Sequence, residues 1–425
     1  MNQNKKILVF TVPSWNSKVG ANSWSVLLDG YDSKNVANIY IRDEIPDSSV
    51  CSRYFNISEN KIIKSVFKRK TKTGKEVFPT SESSTPDADL LAHNERYAKM
   101  GKKRRYSMLL ARELIWKAGK WKTKELNEFL DSFKPDIILH SMDGYIHLNR
   151  VIEYAIKRTG AKAVGYIWDD NFTYKQSKRI GYKVYRFFQR RSLKKLANKT
   201  QEFFAISPMT KAEADGYFGI NCTLLTKPIN STPTVNYGKI GEQIKILYTG
   251  NLYIGRNETL LKVVNAAKRL PKGRFFIDVY TNSKLEQEFM EKIDPEICCI
   301  HPPIPQKEVL EKQRQADILL FLEDIDGPHS KAARLSFSTK ITDYLSAGKC
   351  ILAVGNTETA PMKYFTDNDA ALVAGIEEEI YAALLKLSEA PELIVGYAEN
   401  AARAGIKNHN KEDIKRTFDE VIARV

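Results

Sequence analysis

The sequence predicts an α/β protein built from two doubly wound, Rossmann-like domains. Three observations lead there. In each half, short apolar runs alternate with amphipathic stretches of helical period, the pattern of a parallel sheet with helices on both faces. A Pro-, Gly- and hydroxyl-rich segment, Pro228 to Glu242, separates the halves. The 425 residues, 28% of them charged, suffice for two domains with cores of their own. These readings divide the chain into a first domain at 1–228, a linker at 229–243, a second domain at 244–405 and a C-terminal helix at 406–425 that packs back on the N-terminal domain.

In the first half, Lys5 to Val12 is a basic start followed by an apolar run that suits a first buried strand, and Gly20 in the loop behind it lets a ligand approach the backbone. A plain turn glycine reads equally well there. Val36 to Ile41 is the second strand. Residues 66–106 are polar, with Pro79 and Pro86, and read as an exposed insertion. From Lys99 to Lys124 there are ten basic residues and one acidic, Glu113, interleaved with Leu110, Leu114, Ala118 and Trp121. This is a basic amphipathic helix, either on a membrane surface or packed on the core.

The strand Asp136 to His140 follows a Lys-Pro break. Ligands of open α/β sheets collect at the carboxyl ends of strands, so His140 and Asp143 are candidates for a base or a sugar-binding group, with a structural histidine as the alternative. Asp169 and Asp170 end the next strand and bind a metal or substrate hydroxyls, or one of them caps the next helix. Lys175 to Lys199 then carries ten basic residues and no acidic one, beside Ile180, Val184, Phe187 and Phe188. Such a row lies on anionic headgroups or, by stacking and phosphate contact, on single-stranded nucleic acid.

The second half opens with the strand Ile244 to Tyr248, where Gly250 and Gly255 free the backbone and Arg256 can fork onto phosphate. Strands and helices alternate from there to a long loop, Asp324 to Ser336, and then to FSTKITDYLSAGKCILAVG, Phe337 to Gly355. Ser338 and Thr339 are N-cap residues, Gly348 is a C-terminal stop, and Cys350 to Val354 is a buried strand. The start of that helix is an anion site, Lys340 adds a mobile charge, and Asp343 can accept two neighbouring hydroxyls. A diphosphate carrying a ribose is the ligand this suggests. The last helix begins near Asn410 and buries Ile414, Phe418 and Ile422.

Charge separates the halves. Residues 1–230 hold 41 Lys and Arg against 23 Asp and Glu, and the remainder 25 against 28, so the net +15 belongs to the first half. An anionic partner is expected for it: nucleic acid, an acidic bilayer or a phosphate-bearing substrate. No apolar run approaches the roughly 20 residues of a bilayer span, and the first ten residues carry no cleavable-signal pattern, so a cytoplasmic or peripheral protein is expected. The five cysteines form no paired C-x-x-C, which speaks against zinc and disulfide frameworks.

Two such domains, the turn ILYTGNLYIGRN and the motif STKITDYLSAGK together resemble the GT-B fold glycosyltransferases, especially the family-4-like enzymes of bacterial surface polysaccharide synthesis. The resemblance covers Ile244 to Val373 by motif and the first half by architecture. It implies two domains facing across a cleft, the second binding a UDP- or GDP-sugar as substrate and the first receiving a glycan or lipid-linked acceptor. Gly250, Arg256, Ser338, Thr339 and Lys340 would hold the donor diphosphate, Asp343 the ribose, and Gly20 would let the donor near the backbone. Asp143 or His140 would serve the acceptor. Arg104, Arg105, Lys183, Arg186, Arg190 and Arg191 would face the acceptor or an anionic membrane at the inner face of the cell. No cofactor and no metal are implied, since Arg256, Lys340 and helix dipoles neutralise the leaving diphosphate.

The chain departs from the family at two places. Leu335 stands eight residues before Asp343, where the family's E-x7-E motif has its first glutamate, and Met142 fills the place of the second histidine in H-x-H. A nucleotide-sugar epimerase of the same fold and a non-catalytic binder of RNA or acidic membranes are the alternatives. The near-neutral second half with its phosphate-turn pattern favours a nucleotide-sugar site over nucleic acid.

Overall fold

The computed structural model describes residues 5–15, 23–79 and 106–425. The first sheet comprises β1 (Ile7–Thr11), β2 (Val36–Tyr40), β3 (Arg53–Ile57), β4 (Gly74–Val77), β5 (Ile137–Ser141), β6 (Lys162–Ile167), β7 (Glu202–Ala205) and β8 (Thr223–Leu224). Its order is β4-β3-β2-β1-β5-β6-β7-β8, parallel except for β4 against β3. The second sheet, of β9 (Ile244–Thr249), β10 (Phe275–Tyr280), β11 (Cys298–His301), β12 (Ile318–Leu322), β13 (Cys350–Val354) and β14 (Leu372–Ala374), has the order β11-β10-β9-β12-β13-β14 and is parallel throughout. Each order reverses once, between β1 and β5 and between β9 and β12. Each is therefore a doubly wound sheet with one switch point, as the alternation of strands and helices predicts.

Burial explains the strand sequences. β1, β2, β5, β12 and β13 are buried at every position, which requires helices on both faces and leaves no room for polar alternation. The turn chemistry is local. The helix Pro208–Phe218 begins at Ser207, whose hydroxyl accepts the Thr210 N–H, and stops at Gly219 with φ 70°. The helix Lys340–Ala347 stops in the same way at Gly348, φ 65°.

The chain divides into two compact units, Met1–Leu225 with Lys415–Val425, and Thr226–Ile414. The segment read as the interdomain linker, 229–243, falls within the second unit. Tyr237 donates to the Asp317 carbonyl at 2.8 Å and accepts from the Cys350 N–H at 2.7 Å, while Ile229 N–H reaches the His409 carbonyl. The two Tyr237 bonds satisfy backbone groups at the amino ends of β12 and β13, and the third ties the segment to the end of the helix Leu393–Asn408. The final helix, Lys411–Arg424, places Phe418 against the rings of Tyr31 and Phe204, with Tyr31 donating to Asp419 at 2.7 Å.

Three differences from the sequence reading lie in the first unit. Part of the supposed insertion is β4, which pairs antiparallel with β3; residues 80–105 lie outside the described residues. The strand β3 is five residues long and carries little periodicity, and the amphipathic helix Glu59–Phe67, capped by Ser58, lies between it and β4 where the sequence reading placed no element. In the helix Tyr106–Ala118 the buried face is Glu113 and Trp116, whereas Leu114 is exposed. Among the described residues no helix is long and apolar enough to cross a membrane.

Candidate functional site

The second unit gathers its polar side chains at the switch point. β9 and β12 run side by side from Ile246 beside Ile318, so their carboxyl ends, Thr249–Gly250 and Leu322–Glu323, emerge together. The helix Arg256–Lys268 starts from the loop behind β9, and Lys340–Ala347 starts beside it. Gly250 has φ 135° and Gly255 φ 80°, conformations open to glycine alone or nearly so.

Lys340 is the centre of this arrangement. Its Nζ donates to the Tyr248 hydroxyl at 3.0 Å, lies 4.2 Å from the centre of the Tyr248 ring, and packs so closely on Gly250 that any Cβ there would collide with it. Burial, and then the neighbouring Arg256 charge, bring its pKa down to about 7, against the opposing pull of Glu323 and Asp343. The positive φ of 135° is what asks for glycine at 250, and the end of the Lys340 side chain lies over the space left by the missing Cβ. Ser338 Oγ accepts the Lys340 N–H at 3.3 Å and so caps the helix; Thr339 is exposed and makes no capping bond.

Arg256 does not present a free fork to phosphate, in contrast to the sequence expectation. Its Nε donates to the Leu322 carbonyl at 3.0 Å, Nη1 to Asn251 at 2.9 Å, and Nη2 to both oxygens of Glu323 at 2.9 and 3.0 Å. Burial works against the charge, but Glu323 outweighs it and raises the Arg256 pKa. Arg256 is a strut tying the β9 loop to the end of β12, and its positive field reaches Lys340 indirectly. Asp343 is also engaged, accepting from Asn230 at 2.9 Å and Lys227 at 3.3 Å.

Glu323 and Tyr248 are the residues that sequence reasoning missed. The signal for Glu323 was an acidic residue ending an apolar strand at a switch point; Tyr248 reads simply as strand. Leu335, in the place of the expected glutamate, is fully buried. Beyond Glu323, a cavity of about 400 Å³ is lined by Gly255, Thr259, Lys262, Asp324, Gly327 and His329. The Asp324 carboxylate there accepts the backbone N–H groups of Gly327, His329 and Ser330, which shapes the loop. Among the described residues no group of three His, Cys, Asp or Glu is placed to hold a metal.

In the first unit Asp143 follows β5 at its switch point. It is half-buried and accepts from the Ser141 hydroxyl at 2.5 Å and the Trp168 indole at 3.2 Å. Burial raises its pKa above the usual carboxylate range despite those two donors. His140 is a core residue and not a cleft residue. It is wholly buried, bonded to Thr200 at 3.1 Å, and burial lowers its pKa to about 4. Period-two geometry turns its side chain into the sheet's helix layer. Asp170 caps the following turn through the Thr173 N–H.

The basic candidates separate. Lys183 and Arg191 are exposed. Arg186 is buried and bonded to Tyr182, Gln176 and the Asp170 carbonyl, so it faces no membrane or acceptor. Arg190 is half-buried against Tyr174 and Tyr217, its head on the Phe172 carbonyl. One residue of a basic row turns inward at each helical turn, and there a guanidinium finds carbonyls to satisfy it. Gly20, Arg104 and Arg105 lie outside the described residues.

These two doubly wound units are the fold of the GT-B glycosyltransferases. Solved structures show the likeness, two of them over nearly the whole chain and a third, TarM of S. aureus, over 69% of it. Sucrose-phosphate synthase from Thermosynechococcus elongatus matches with a TM-score of 0.63 at 10% identity, covering 98% of each chain. HepE of Anabaena, in complex with UDP, matches at 0.61 and 11% identity over 99% of this chain and 100% of its own. TarM of S. aureus, with UDP and α-GlcNAc-glycerol, matches at 0.51 and 10% identity, and the chain spans 57% of its length. No protein-family model matches the sequence, and no curated protein does so at the sequence level. At these identities the likeness is one of fold.

Proposed function

We propose that the protein is a glycosyltransferase that moves a sugar from a UDP- or GDP-sugar to a glycan acceptor, lipid-linked and presented at the inner face of a membrane. The observation that carries the donor half is the Lys340 ammonium, held over Gly250 and Tyr248 at a helix start on the switch point of the second sheet. That HepE and TarM were solved with UDP, and HepE also with UDP-glucose, supports a uridine nucleotide.

In the reaction the bond from the anomeric carbon to the diphosphate oxygen breaks, and one to an acceptor oxygen forms. Lys340 and the amides at the helix start neutralise the charge gathering on the leaving diphosphate, a role preorganised groups fill best. Asp343 takes the ribose hydroxyls, and the Arg256–Glu323 pair keeps the β9 loop in register with Lys340. For the acceptor we assign Asp143 as binding group or base, because it stands just past the carboxyl end of β5 at the switch point of the first sheet and burial raises its pKa above that of an ordinary carboxylate. No metal is needed in this scheme, and turnover should persist in chelator.

Calorimetric titration with UDP, GDP and their sugars tests the donor site. Wild-type protein should bind one of these nucleotides, and Lys340→Gln should weaken that binding at least tenfold while its circular dichroism stays native. Equal binding by Lys340→Gln would remove the assignment. Product analysis without acceptor separates transfer from epimerisation.

A further inference from the structure

The helices Glu59–Phe67, Tyr106–Ala118 and Ile180–Ala197 lie side by side on the first unit, the middle one touching both others. Each buries one face: Ile62 and Ser65 on the first, Trp116 on the second, Tyr182, Tyr185 and Leu193 on the third. The opposite face of a surface helix is ordinarily polar. On Ile180–Ala197 the outward stripe is instead Ile180, Val184, Phe187 and Phe188, with Ile180 81% and Phe187 55% exposed. The two phenylalanine rings meet edge to face at 5.5 Å. Leu114 is exposed on the middle helix, and Phe67 is 87% exposed at the end of the first, one turn after exposed Ile63.

Large apolar side chains standing out on three adjacent helices mark an interaction surface. Charge selects the partner. Ile180–Ala197 contains no acidic residue, and Lys183 and Arg191, exposed beside the phenylalanines, have no acidic partner among the described residues. Phe67 runs directly into Lys68, Arg69 and Lys70, all exposed. A second copy would set these cations against themselves. Nucleic acid would answer the cations but offers no apolar depth for Ile180, Val184 and Leu114. An anionic leaflet offers both, a negative plane above an apolar layer.

We propose that this three-helix face docks on an anionic lipid bilayer. Phe67, Ile180, Phe187 and Phe188 enter the boundary between headgroups and acyl chains, and Lys68, Arg69, Lys183 and Arg191 rest on the headgroups. The assignment names the membrane partner of the transferase and rests on that reading for its purpose, whereas its observations are independent of the donor site.

The full-length protein is floated with vesicles of phosphatidylcholine alone and of phosphatidylcholine with phosphatidylglycerol. It should rise with the anionic vesicles only, and release in about 1 M salt, where the screening length falls to roughly 3 Å. The pair Phe187→Ser with Phe188→Ser should weaken vesicle binding about tenfold or more, and Lys183→Glu with Arg191→Glu comparably. Both pairs should keep native circular dichroism and wild-type UDP affinity. Failure of the wild type to rise with anionic vesicles overturns the proposal. So does serine-variant binding equal to wild type, accompanied by conversion of a dimer to monomers, which would give the face to a second copy. Absent UDP binding with intact vesicle binding would instead count against the transferase reading alone.

Discussion

Lys340 owes its low pKa to burial and to Arg256, and a bound diphosphate would oppose both by placing negative charge beside the ammonium. Nucleotide binding should therefore take up a proton above pH 7. Affinity should be flat below pH 7 and fall by up to about tenfold per pH unit above it, because the free lysine must first be protonated. Titrations in buffers of different ionisation heat read the proton directly; a pH-independent affinity between 7 and 9 would contradict the assignment. Glu323 acts on the same site through Arg256. Both side chains are largely buried, at 8% and 15% exposure, so removing the carboxylate leaves a guanidinium without its counter-charge. Glu323→Gln should cost about 3 kcal/mol in urea unfolding, whereas exposed ion pairs of this unit such as Lys363 with Glu358 should cost under about 1 kcal/mol.

At the level of elements, the turns behind β9 and behind Lys340–Ala347 place the cation. Gly250→Ala must leave φ 135° or displace Lys340, so nucleotide affinity should drop more than tenfold, and the backbone strain should cost roughly 1–3 kcal/mol of unfolding free energy. Gly348→Ala should lower stability without touching affinity. Its φ of 65° is tolerable to alanine at a cost of about 1 kcal/mol, but the new methyl meets the Thr234 backbone, so unfolding free energy should fall by about 2 kcal/mol or more. Nucleotide affinity measured well below the unfolding transition should stay near wild type.

For the molecule as a whole, acid is the vulnerable direction. His140 in the first unit and His409 in the second are wholly buried, and burial lowers each to about 4 from an ordinary 6.5. The unfolded chain binds these protons from pH 6.5 downward and the folded chain only near pH 4. Each histidine's contribution is therefore whole above pH 6.5 and lost as pH falls toward 4, at most about 3 kcal/mol apiece. Unfolding midpoints followed from pH 7 to pH 4 should fall steeply, and His409→Gln should flatten the slope of the unit it belongs to.

Much of this architecture was legible along the chain. Apolar runs such as Cys350–Val354, caps such as Ser207 and stops such as Gly219 and Gly348 act within a few residues of themselves, so local chemistry alone predicts strand, helix and turn. The final helix could be read from Ile414, Phe418 and Ile422 for the same reason. The short β3 and β4 escaped because a few residues carry little periodicity.

What the chain order could not tell was which groups meet. Lys340 and Tyr248 are 92 residues apart, and Arg256 and Glu323 are 67 apart; parallel pairing of β9 with β12 brings their ends together. That pairing turned Arg256 from a presumed phosphate fork into a strut, and it left Lys340 as the cation of the site. The first sheet likewise sent His140 and Arg186 inward. The sequence by itself determined the two α/β units, their turns and the basic character of the first half, because these follow from local pattern and composition. Tertiary structure alone decided which charges are free to act, because burial and ion pairing depend on neighbours far along the chain.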